Sequence, residues 1–289
     1  RFNSIDALLF FPFIYFLIKA IKKNGKNYFW CGMAVGLSFS FFPSILLWLP
    51  AAVLFIYLNR KKLEKKNLLC GLVGIFIPNI PFFIYNILNK FQIIFTLSAW
   101  IPYRIAGFLG LYPKNNLNSE IIYANFMSLY VFFRESFFAQ ESPIALIFFW
   151  GMITYFVLKV VKSFKNDLFW QALAIIFLVS YIGFFIHGNP PKHYYLVIFP
   201  IPLIIMASLL NRLAKSLYGV FFSFLALSMI TFTNLKYFFS ESWFYRDQGK
   251  AVREELPIPY ALQERVVKHI VNDSNGKPYK LKRVGALDQ

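Results

Sequence analysis

Apolar positions in this chain come in long runs with no strand-like alternation, and short basic stretches separate one run from the next. The first covers residues 7–21 and ends among Lys19, Lys22, Lys23 and Lys26. The second covers 28–58 and closes on Arg60, Lys61, Lys62, Lys65 and Lys66. One helix over that second run would be about 45 Å long, well beyond a hydrocarbon core of about 30 Å. Both of its flanks are basic, and basic flanks stay on the cytoplasmic side. A single crossing cannot satisfy that, so the run predicts a hairpin of two short helices breaking between Ser40 and Pro43. Gly32, Gly36 and Ser40 lie four apart, a small-residue face that lets its two arms or a neighbouring helix approach closely.

Residues 68–88 predict an outward span kinked by Pro78, Asn79 and Pro81. Four more spans follow at 143–161, 168–186, 194–210 and 217–235. Between the span at 68–88 and these four, residues 90–142 are apolar only in patches (91–111 and 120–139) and carry Pro102, Arg104, Arg134, Glu135 and Glu141. They are read as a long external loop with interfacial helices; if both patches span, the topology downstream keeps its parity. The neighbouring charges of Arg134 and Glu135 are expected on a solvated face. From about residue 239 the composition turns polar, with a helical PYALQERVVKHIVND and a strand-like YKLKRV. The expected fold is therefore an all-α multi-pass membrane protein of about seven or eight apolar helical segments. Its bundle covers 1–238, and 239–289 form a small external α/β or α+β element.

Composition agrees: 58% of residues are hydrophobic and 21% aromatic, against about 45–50% apolar in soluble domains. The net charge of +17 is a matter of topology, not of nucleic-acid binding. Fourteen Lys and Arg fall in the four segments assigned to the cytoplasm, against five in 90–142 and 187–193. Contact of the inner lysines with anionic membrane lipids is an added expectation. Cys31 and Cys70 both lie inside apolar runs and form no metal-ligand or disulfide pattern. The chain opens on Arg1 and stops at LKRVGALDQ with no closing element, so it is expected to be a fragment at both ends.

The stretch richest in candidate chemistry is HGNPPKHYYLVIFPIP, 187–202, which the charge bias puts on the non-cytoplasmic side. His187, Lys192, His193, Tyr194 and Tyr195 there, with Arg104 from the long loop, suit a phosphate or pyrophosphate at a membrane face, because cationic donors make charge-assisted hydrogen bonds to it. No Gly-rich phosphate loop, HExxH, GxSxG or Cys/His metal pattern is present. No metal-binding residues and no cofactor are assigned, and a divalent metal is left open as a requirement of the reaction.

The order of RFNSIDALLFF, YFWCGMAVGLSFSFFPSILLWLPAAVLFIYLNRKK, IPNIPFFIYN and PKHYYLVIFPIPLIIMA, followed by one more span and an external tail, resembles the GT-C superfamily of integral-membrane glycosyltransferases. The likeness is to the protein O-mannosyltransferase and aminoarabinose-transferase type and covers most of residues 1–240. It implies transfer of a sugar from a polyprenyl-phosphate donor to a lipid, glycan or protein acceptor on the non-cytoplasmic side of a bacterial or archaeal plasma membrane. It further implies a catalytic carboxylate in a first external loop, expected upstream of Arg1, which would leave the 289-residue chain inactive on its own. Asp6 resembles a second acidic position of the family. Lys192, His193 and Tyr194 or Tyr195 match its donor-phosphate side, and Arg104 resembles a basic residue of its long external loop in location. The rival expectation, from another class, is a lipid or polysaccharide transporter, which also wants a cationic pocket in a multi-span bundle.

Overall fold

The computed structural model describes residues 4–22, 26–41, 43–59, 64–111, 117–188, 190, 192–239 and 260–274, without the side chains of 4–7, 43, 192, 193, 238, 239 and 260–263. In chain order the helices are α1 (Ser4–Lys22), α2 (Lys26–Phe41), α3 (Trp48–Asn59), α4 (Lys65–Phe76), α5 (Ile80–Leu88), α6 (Gln92–Phe108), α7 (Ser119–Glu135), α8 (Pro143–Ser163), α9 (Leu168–His187), α10 (Pro200–Leu213), α11 (Leu217–Phe239) and α12 (Tyr260–Ser274). Three 3-10 segments interrupt them: Pro43–Leu47, Ile77–Asn79 and Lys192–Ile198. No strand occurs among the described residues, and the strand-like YKLKRV lies outside them. The α/β character expected of the tail is therefore not supported; its described part is the single helix α12.

Among the described residues, five stretches are long and apolar enough to cross a membrane: Lys65–Leu88, Pro143–Ser163, Leu168–His187, Tyr194–Leu213 and Leu217–Tyr237. Over the described residues this is an all-helical membrane protein. The second apolar run does break where two short helices were expected, through the 3-10 segment Pro43–Leu47. Its arms then part company. α2 packs on α1 and α4, whereas α3 packs on α9. The small-residue face of α2 therefore serves a neighbour.

The chain divides into two compact units, residues 1–137 with 141–221, and residues 138–140 with 222–289. In the first unit α2 and α4 run parallel with their backbones in contact. A Cβ on Gly32 would lie 2.1 Å from the Gly71 carbonyl oxygen, and one on Gly74 would lie 2.2 Å from the Phe29 oxygen. Only glycine allows such an approach, which exchanges side-chain volume for backbone packing between apolar helices. The seam ends in a polar clamp. Buried Asn79 donates from Nδ2 to the carbonyls of Gly36 (2.9 Å) and Ile75 (2.8 Å), and its Oδ1 accepts from the Ser40 hydroxyl (3.0 Å). Pro78 and Pro81 lack backbone N–H groups and interrupt the helical ladder here, and beside that interruption the Asn79 side chain adds a donor to the Ile75 carbonyl.

α3 and α9 are antiparallel: Asn59 Nδ2 donates to Gln171 Oε1 at one end (2.8 Å), and Gly183 lies against the Leu47 side chain at the other. α8 meets α9 through Phe156, which faces Trp170 and Phe177. Helix starts are set by short polar side chains, which satisfy orphan N–H groups. Asn118 caps α7 through Ile121 N–H, Ser142 caps α8 through Ala145 N–H, and Asp167 caps α9 through Phe169 and Trp170 N–H. Of the described cations of the connecting segments, Lys22, Lys26, Lys65, Lys66, Lys159, Lys162, Lys165, Arg212 and Lys215 flank the helix ends that gather at the Asn59–Gln171 side of this unit, whereas Lys90 lies in the turn between α5 and α6. In the second unit, Asn234 of α11 accepts from the Ala139 N–H (2.9 Å), and α12 carries a Glu264–Lys268 ion pair.

The seam yields a test. Gly32→Ala and Gly74→Ala force the helices apart and are expected to cost about 1–3 kcal/mol each. Gly151→Ala, where an added Cβ meets nothing within 4 Å, is expected to be neutral or slightly stabilising. Thermal unfolding of the purified protein in detergent, compared across the three variants, reads the difference.

Candidate functional site

The region of 187–202 is built from the C-terminal end of α9 and the 3-10 segment Lys192–Ile198. The sequence reading runs one apolar helix from Tyr194. The α-helix instead begins at Pro200, because Pro200 and Pro202 have no N–H to return to the preceding turn and the chain before them tightens, with Phe199 N–H on the Leu196 carbonyl (3.1 Å). Where α9 ends, Gly188 takes φ 91°, a backbone region that residues with a Cβ rarely adopt.

A helix C-terminus leaves carbonyls without helical partners, and here other helices supply the donors. Arg104 of α6 donates from Nη1 to the His187 carbonyl (3.3 Å), and Asn125 of α7 donates from Nδ2 to the Gly188 carbonyl and to its own Ile121 carbonyl. The Arg104 cation also offsets the negative end of the α9 dipole. On the other side of the turn, Trp48 at the start of α3 donates from Nε1 to the Val197 carbonyl (3.0 Å). Trp48 is itself fully buried, stacked on Phe13 (4.7 Å between centroids, planes 7° apart) and edge-on to Phe10.

Around this frame four side chains converge. The Arg104 guanidinium lies 5.2 Å from the Trp100 ring, Trp100 is 5.5 Å from the His187 imidazole, and Tyr194 stands edge-on to His187 at 4.9 Å. A guanidinium, an imidazole and a phenol in one cluster can donate several hydrogen bonds to an anionic group.

The structure separates the two tyrosines that spacing leaves equivalent. Tyr194 is partly exposed beside His187, whereas Tyr195 is 1% exposed and wedged between Phe132 (5.3 Å) and Phe184 (4.6 Å). Tyr195, expected on the donor-phosphate side, lies in the aromatic core, away from the His187–Tyr194 edge. The side chains of Asp6, Lys192 and His193 lie outside the described part. The first turn of α1, which carries Asp6, precedes the Phe10–Trp48 contact by one turn, so its backbone belongs to the end of the unit that holds Val197. Arg134 departs from its expected solvated face. Its side chain is only 13% exposed and pairs with Glu135 (3.0 Å) and Glu141 (3.8 Å).

Sequence reasoning passed over Trp100, Asn125 and Trp48. Trp100 stands one helical turn before Arg104, and Asn125 is a lone amide in the apolar patch IIYANFMSLY, a combination that marks a tertiary hydrogen bond in a low-dielectric setting. Among the described residues no group of three or more His, Cys, Asp or Glu could hold a metal ion. No family model matches the chain, and neither a curated protein nor a solved structure matches it.

Removing the amide with Asn125→Ala leaves the Gly188 carbonyl without its donor, at an expected cost of about 1–3 kcal/mol. Hydrogen exchange followed by mass spectrometry is expected to show faster exchange across 186–198, with α8 unchanged.

Proposed function

We propose that the chain is the membrane part of a GT-C-type inverting glycosyltransferase, which moves a sugar from a polyprenyl-phosphate donor to a lipid, glycan or protein acceptor on the non-cytoplasmic side. The observation that supports this most is the meeting of Arg104, His187 and Tyr194 at the turn after α9, at the opposite end of the helices from the lysine-bearing connections. A cationic, hydrogen-bonding cluster at the end of a bundle of apolar helices suits a phosphate carried on a hydrophobic tail.

In this reading Arg104, Lys192 and His193 neutralise the donor phosphate, and the Tyr194 hydroxyl donates a hydrogen bond to it. The bond between the anomeric carbon and the phosphate oxygen breaks as the acceptor oxygen attacks from the opposite face. Charge then grows on the leaving phosphate, where fixed donors lower the barrier. The acceptor proton passes to a carboxylate acting as base; Asp6 is the acidic residue of this chain assigned to that side of the reaction. Trp100 and Asn125 act by holding Arg104 and the 187–194 turn in place. Any divalent metal the reaction needs would be an addition to this donor set.

The test is sugar transfer in membranes carrying the full-length protein, with a polyprenyl-phosphate sugar as donor. Lys192→Ala and Tyr194→Ala are each expected to lower turnover about a hundredfold, and Tyr195→Phe is expected to leave it within about twofold, as for a side chain that only packs. Unchanged turnover in both alanine variants overturns the site. Translocation of a lipid-linked glycan across sealed vesicles with no covalent transfer would replace the enzyme reading by a transporter.

A further inference from the structure

At the ends of α8 and α10 the molecule presents a second cationic feature, remote from the Tyr194 turn because that turn lies at the other end of α10. The two helices run in the same direction and are pinned by a hydrogen bond between the Tyr155 and Ser208 hydroxyls (2.8 Å). Positions one turn further along the same faces are Lys159 and Arg212, four residues on in each helix. Lys162 follows in the last turn of α8, Lys165 in the turn beyond it, and Lys215 in the turn that leads from α10 to α11.

Five cations therefore gather where two apolar helices emerge. Lys162, Lys165, Arg212 and Lys215 are exposed, and Lys159 is half-buried with its ammonium 5.6 Å from the Trp170 ring. Among the described residues none of the five is recorded in an ion pair with a carboxylate. The nearby Asp167 already accepts the Phe169 and Trp170 N–H groups as the cap of α9. One turn before Lys162 and Lys165 on the same face of α8, Leu158 and Val161 expose apolar surface.

We infer that the cationic end of α8 and α10 is a binding site for the headgroup of an anionic membrane phospholipid, with the acyl chains lying along the Leu158–Val161 face of α8. Charge complementarity selects the headgroup, since basic pockets between spanning helices attract anionic lipid phosphates. The exposed Leu158 and Val161 beside Lys162 and Lys165 favour a lipid over a free phosphate, because only a lipid covers both the apolar and the cationic parts at once. The inference does not depend on the glycosyltransferase reading.

The experiment compares the purified full-length protein in phosphatidylcholine nanodiscs with and without a minority of phosphatidylglycerol. Two quantities are read: phosphatidylglycerol retained on the protein in native mass spectrometry, and the shift in thermal midpoint. The wild type is expected to retain phosphatidylglycerol and to melt several degrees higher when it is present. The combined variant Lys159→Gln, Lys162→Gln, Arg212→Gln and Lys215→Gln is expected to lose the shift and to retain about tenfold less or lower still. Lys65→Gln with Lys66→Gln, which removes two charges elsewhere at the same end, is expected to behave as wild type. If the combined variant fails to fold in phosphatidylcholine alone, the exposed pair Lys162→Gln and Lys215→Gln carries the same test, with a smaller loss expected. Retention unaffected by these substitutions, equal loss in the Lys65/Lys66 control, or an equal shift produced by soluble glycerol phosphate in phosphatidylcholine discs would each overturn the inference.

Discussion

Three backbone carbonyls, those of His187, Gly188 and Val197, each take a hydrogen bond from a side chain of a different helix. In water such carbonyls would be solvated at little cost. Where helices emerge from an apolar layer, an unpaired carbonyl is expensive, so the turn between α9 and α10 can form only if donors come to it. Arg104, Asn125 and Trp48 bring α6, α7 and α3 to one place for that reason, and the side chains that flank the carbonyls are carried along with them. The cluster of Arg104, Trp100, His187 and Tyr194 is thus a consequence of how the end of α9 is satisfied.

This requirement reaches back into the first third of the chain. Trp48 can meet Val197 only because the second apolar run breaks before it and releases α3 to pack on α9. α2 is left to find other partners, and the glycine seam with α4 provides them at backbone distance. The Asn79 clamp then holds the top of that seam, where two prolines interrupt the helix. Several side-chain hydrogen bonds of this unit thus lie where helices are interrupted or end, and two of its buried amides, Asn79 and Asn125, are among the donors.

Much of the helix order was legible because long apolar runs and basic interruptions are coarse signals that survive any local error. The break between Ser40 and Pro43, the kink at Pro78–Pro81 and the two helices inside 90–142 all follow from proline positions and run length. What could not be read was partnership. Small residues at Gly32 and Gly36 announce a close approach without saying to whom, and Gly71 and Gly74 form the other half of the seam some forty residues on. The pair Tyr194–Tyr195 is equivalent in spacing, and only the three-fold turn of a 3-10 helix, with Phe132 and Phe184 on one side, divides them into an edge residue and a core residue. Arg134 shows the same limit: adjacent opposite charges look solvated in sequence, but a helix end folded against Glu141 shields the guanidinium.

The distribution of cations at the two ends of the first unit now has a physical reading. At the turn after α9, few cations are present and the one with described contacts, Arg104, is immobilised by a carbonyl and an aromatic ring. Such a charge has lost its conformational freedom on folding, so it can meet an anion without a further ordering cost. At the opposite end the lysines of α8 are more numerous and mostly exposed, and their long side chains keep their freedom. A flexible ammonium suits a headgroup that exchanges with bulk lipid, whereas a fixed guanidinium suits a phosphate whose position must be held while a bond to it breaks. Of the two ends, the one ordered by the α9 carbonyls holds a cation in a fixed position, which is what orienting a phosphate would require.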